Sequence, residues 1–140
     1  ETTNPIVGQF ISTLMASRTQ AHIFHLQTPS FAAHMALQGY YEGIVPLVDG
    51  FVESYQGKYG IVSGWGNLGL QDFQSTEQVI AYFTTLVTFI EKVRTMAFQD
   101  SYLQNQIDTI VELIKYGNTV KSVFENIQYP NLFELLYILL

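Results

Sequence analysis

The sequence predicts an all-α fold: a four-helix bundle with a long crossover between the second and third helices, followed by short helices. Three observations carry that expectation. Apolar residues recur at three- and four-residue steps in four separate stretches, the period of a helix buried along one face. Capping residues and prolines stand where those stretches begin. The longest turn-rich interruption, 57–74, falls in the middle of the chain, and neighbouring antiparallel helices rarely need so long a link. With 140 residues, 48% of them apolar, the chain fits a single domain, 1–140, able to bury roughly two-thirds of its unfolded surface.

The first helix is expected over 5–26. Asn4 is a good cap and Pro5 suits the first helical position, and Val7, Phe10, Ile11, Leu14, Arg18, Ala21, His22 and His25 form its stripe. Thr28-Pro29-Ser30 stops this helix and restarts the next, with Ser30 as the cap. The second helix is expected over 31–56, with Leu37, Tyr41, Ile44, Val48, Val52 and Tyr55 in period. Gly39, Gly43 and Gly50 weaken it, and Pro46 removes one backbone hydrogen bond and predicts a kink.

The crossover carries Gly57, Gly60, Gly64, Gly66, Gly69 and the single tryptophan, Trp65. Ser75-Thr76-Glu77-Gln78 reads as a capping box that opens a third helix over 76–97. Ser101 to Gln104 repeats the pattern ahead of a fourth helix over 101–116, stopping near Tyr116-Gly117. Two short apolar helices, around 119–127 and 131–139, complete the expected C-terminal stretch 119–139.

Composition excludes several kinds of chemistry. With no cysteine, the chain has no disulfide, thiolate metal site or iron–sulfur cluster. Six Lys+Arg against twelve Asp+Glu give a formal charge of −6, so direct binding to a nucleic-acid backbone is not expected. Charged residues make up 13%, about half the usual share, which implies apolar surface buried between subunits. No apolar run is long enough to span a bilayer and no basic leader is visible, so a soluble cytoplasmic protein is expected. Phosphate-loop, dinucleotide and nucleophile-elbow motifs are absent.

All three histidines, His22, His25 and His34, fall within thirteen consecutive residues. His22 and His25 share one face of the first helix, and His34 lies just past the turn, where it can approach His22. Histidines so placed either hydrogen-bond within the core or coordinate Fe, Zn, Cu or Ni. Asp49 and Glu53, an i,i+4 pair on the second helix, are either a solvated face or further ligands. His34 and Asp49 are fifteen residues apart, roughly 22 Å along a helix. Ligands of one metal sit about 2 Å from it, so a single chain cannot join the two groups. Two chains packed with their second helices antiparallel about a two-fold axis can, giving an intersubunit site.

Gln20-Ala21-His22, the turn Thr28-Pro29-Ser30-Phe31, His34 and Asp49-x-x-x-Glu53 together resemble the signature of the Dps-type mini-ferritins. The resemblance spans about 35 residues and implies a ferritin-like bundle with a helix-bearing crossover, assembled as a homo-oligomer, two-fold dimers building a hollow dodecamer. It also implies oxidation of Fe(II) by peroxide or O₂, storage of ferric iron, zinc as a substitute metal, and the ligand set His22, His34, Asp49 and Glu53. Gln38 stands where that family often has an aspartate. Gln38 and His25 stand beside the four as additional ligands or supporting groups. The basic tail that many members use on DNA is missing. Glu-x-x-His, the mark of a di-iron site within one bundle, does not occur. The alternative is a non-catalytic ferritin-like scaffold or interaction module that has lost iron chemistry. Gln38, Pro46, the low charge and the apolar stretch Leu132–Leu140 fit that reading.

Overall fold

The computed structural model describes residues 5–66 and 68–126, and for 116–126 the backbone alone. The described residues form α1 (Pro5–Gln27), α2 (Phe31–Tyr59), α3 (Thr76–Ala97) and α4 (Ser101–Asn126). The all-α bundle expected from the periodicity is therefore observed. Asn4, the proposed cap of the first helix, and the apolar stretches 131–139 and 132–140 lie outside the described residues.

Local chemistry sets most of the boundaries. The Ser30 hydroxyl accepts a hydrogen bond from the Ala33 N–H and starts α2. Ser75 and Gln78 exchange both bonds of a capping box at the start of α3. α2 ends beyond its expected limit, at Tyr59, where Gly60 takes a φ of 94° and returns its N–H to the Gln56 carbonyl. Pro46 lies inside α2 without ending it.

Two expectations fail at α4. Gly117 does not terminate it: the helix runs on to Asn126, through most of the segment expected to form a separate helix around 119–127. A single interior glycine costs only about 1 kcal/mol, and no proline follows it closely to enforce a stop. Ser101 is not its cap either. The Asp100 carbonyl accepts the Gln104 N–H, placing Asp100 at the cap position, and the Gln104 side chain reaches back to the carbonyls of Arg94 and Phe98.

The helix directions follow from cross-links between elements. The crossover leaves the end of α2 and climbs along α1: Gly66 bonds Ser12, Gln71 bonds Gln20, and Phe73 bonds Gln27. α3 thus starts at the end of the bundle where α1 finishes, and α4 returns from the opposite end, where Lys58 and Tyr59 both contact Asp100. Adjacent helices (α1–α2, α2–α4, α4–α3 and α3–α1) all run antiparallel. The crossover has to span the molecule because α2 and α3, on one diagonal, point the same way. None of the described residues between Tyr59 and Thr76 is helical, unlike the helix-bearing crossover the resemblance implied.

Gly8 makes room for this connection. A Cβ at residue 8 would lie 2.5 Å from the carbonyl oxygen of Gly64, which itself has a φ of +81°. The core is continuous from end to end. Phe10, Phe51 and Phe98 pack with centroids 4.9–5.5 Å apart near one end, and Tyr40 meets Phe83 at 4.9 Å further along. No helix among the described residues is long and apolar enough to cross a membrane.

Candidate metal site at the α1–α2 turn

The stripe expected on α1 drifts before it reaches the histidines. Leu14, Ser17, Ala21 and Phe24 face inward, whereas Arg18 is exposed and His22 is half-buried. A four-residue step overshoots a 3.6-residue turn by about 40°, so the step from Leu14 to Arg18 rotates out of the core. The step to Ser17 stays in, and its hydroxyl donates to the Leu14 carbonyl at 2.6 Å and meets the Tyr40 hydroxyl at 2.6 Å.

His25 is the buried histidine, 6% exposed. Its ring stacks on His34 with centroids 3.6 Å apart and lies 5.8 Å from His22. His34 thus meets the first helix through His25. His22 stacks instead on Tyr41, at 4.3 Å. Burial pushes the His25 pKa down, its bond to the His34 carbonyl pulls it up, and neighbouring His34 and His22 lower it further, against a raising effect of Glu42.

The carboxylates sit elsewhere. Asp49 and Glu53 are exposed on α2, fifteen residues or more of unbroken helix beyond His34. Gln38 donates to Glu42 at 3.1 Å, so its amide is engaged one turn further along the same helix. Among the described residues no three His, Asp or Glu side chains converge on one point of a single chain. Asp108, which with Glu112 is a second acidic i,i+4 pair, bonds Arg94 at 2.7 Å. A separate open groove of about 480 Å³ between α1 and α3 is lined by residues such as Gln9, Thr13, Gln78, Tyr82 and Thr85, with no histidine or carboxylate. Burial pushes the Tyr82 phenol up to about 12, so it is neutral there.

A family profile described as a family of unknown function (DUF5856) matches residues 25–118, well over half of the chain. The chain belongs to the DUF5856 family. His25, His34, Gln38, Asp49 and Glu53 fall inside the stretch matching DUF5856, and His22 falls outside it. No curated protein and no solved structure matches the chain.

Sequence reasoning singled out His22 and His34 and left His25 to the side. The signal for His25 was its place one turn past Ala21 on the buried stripe, nine residues before His34 across a short turn. Such spacing has no regular period, so only closure of the turn reveals the pair.

Proposed function

We propose that this protein is a Dps-like, ferritin-like iron-binding ferroxidase that works as a homo-oligomer. His22 and His34 of one chain and Asp49 and Glu53 of a two-fold mate hold Fe(II). The observation that supports this reading is the continuity of α2 from Phe31 to Tyr59. With the histidines at one end of an unbroken rod and the exposed acid pair toward the other, an antiparallel mate brings each group onto its counterpart. Imidazole suits iron as a ligand, and the hard, anionic carboxylates favour Fe(III) over Fe(II). Two Fe(II) each lose one electron to one hydrogen peroxide, which takes up two protons and leaves as two waters. Iron is here the substrate and the stored cargo, with zinc as a non-oxidisable substitute.

The scaffold reading has one observation in its favour: Ile61, Trp65 and Leu70 of the crossover expose apolar side chains suited to packing. Anaerobic Fe(II) titration of the size-fractionated protein separates the two. Saturable binding of about one iron per chain, lost in His22→Ala and in the double change Asp49→Ala and Glu53→Ala, is expected for the intersubunit site. Unchanged binding by an intact double-variant assembly overturns the ligand set. An assembly that never takes up iron points to the scaffold.

A further inference from the structure

A three-residue turn separates α1 from α2, and it closes His25 and His34 on each other. The Nδ1 of His25 lies 2.7 Å from the carbonyl oxygen of His34, and the Nδ1 of His34 lies 2.9 Å from the carbonyl oxygen of His25. A carbonyl oxygen only accepts, so both Nδ1 atoms carry a hydrogen. In the neutral rings both Nε2 atoms then carry the lone pair. The two imidazoles are stacked, 3.6 Å between centroids and 22° between planes. The turn beneath them is itself tied: the Thr28 hydroxyl accepts from the Ser30 N–H, and the Ser30 hydroxyl accepts from the Ala33 N–H.

We infer that His25 is a positioning residue that holds His34 ready to bind metal through Nε2. The inference rests on the reading of His34 as an iron ligand given above. The two histidines divide the work by exposure. His25 is buried, so a metal shared with another chain lies out of its reach, while His34 is only half-buried. The His25 side chain anchors the His34 main chain through its own Nδ1–H and covers one face of the His34 ring. The His25 main chain supplies the acceptor that selects the His34 tautomer. An imidazole held in one tautomer and one orientation does not lose that freedom on binding, and outer groups of this kind are worth about 10–100-fold in metal affinity.

The test uses full-length protein labelled with ¹⁵N-histidine, with Zn(II) as a redox-silent probe beside anaerobic Fe(II). In the native protein the ring nitrogen shifts of His34 report a single tautomer with hydrogen on Nδ1. His25→Leu keeps the carbonyl that selects the His34 tautomer but loses the Nδ1–H anchor and the stacked ring. It is expected to keep hydrogen on the His34 Nδ1, to broaden or double the His34 ring signals and to bind Zn(II) about 10–100-fold more weakly, with helix content and assembly size unchanged. His25→Phe keeps the stacked ring, loses the side-chain hydrogen bond and falls between the two, and it serves if the leucine variant does not fold. Native His34 ring signals and native affinity in a folded His25→Leu protein overturn the inference. Native Zn(II) and Fe(II) binding by His34→Ala overturns the ligand assignment on which it stands, whereas binding lost in His34→Ala but native in His25→Leu is failure of the clamp alone.

Discussion

Burying an imidazole against two others weakens its hold on a proton, and His25 is placed in that way, its pKa pushed down chiefly by burial. The unfolded chain binds this proton more tightly than the folded protein does. The stability linked to it is present above the ordinary histidine pKa and is lost as pH falls through that value toward the lower folded one. Urea unfolding midpoints should therefore drop between neutral and mildly acid pH. His25→Phe, which keeps a stacked ring but cannot titrate, should show a shallower drop. An equal slope in both proteins removes His25 as the source.

The crossover is held in place by side chains of α1. Gln20, 1% exposed, donates to the Gln71 carbonyl at 2.8 Å and accepts from the Gln71 N–H at 2.9 Å. This two-bond clasp pins the irregular segment to α1 where no helix or sheet ladder can. Gln27 repeats the device one end further on, accepting from the Phe73 N–H and donating to Asp72. Gln20→Leu fills a similar volume and removes both bonds at Gln71. It should cost about 1–3 kcal/mol in denaturant unfolding and speed hydrogen exchange at the Gln71 amide. Exchange that stays at the native rate would show that Gln20 does not hold the crossover.

In the assembled molecule, α2 carries glycines that its packing against the other described residues does not require. Among the described residues, a Cβ added at Gly39, Gly50 or Gly57 would meet nothing within 4 Å, yet each interior glycine costs a helix about 0.5–1 kcal/mol relative to alanine. Close approach of a second helix is a physical reason to keep them, and it falls on the helix that the proposed site pairs with its two-fold mate. Gly50→Ala should raise the thermal stability of the isolated protomer and shift the assembly toward smaller species by light scattering. An assembly of unchanged size would place the subunit contact elsewhere than at Gly50.

The helices, the caps at Ser30 and Ser75, and the crossover were legible because each rests on short-range rules: a 3.6-residue period, a side chain bonding a backbone three residues on, a glycine-rich gap too long for a simple turn. The same rules misplaced the end of α4, where Gly117 is too weak a break to stop a helix, and kept Arg18 on an inward stripe that in fact passes through Ser17. The sequence by itself determined the all-α bundle and placed the histidines together near one turn. Only the tertiary structure decided that His25 pairs with His34, that Gln20 clasps Gln71, and that Gln104 reaches back to Arg94. Those contacts join common residue types across a turn or between elements, and their energies exist only once the backbone has brought the partners within about 3 Å.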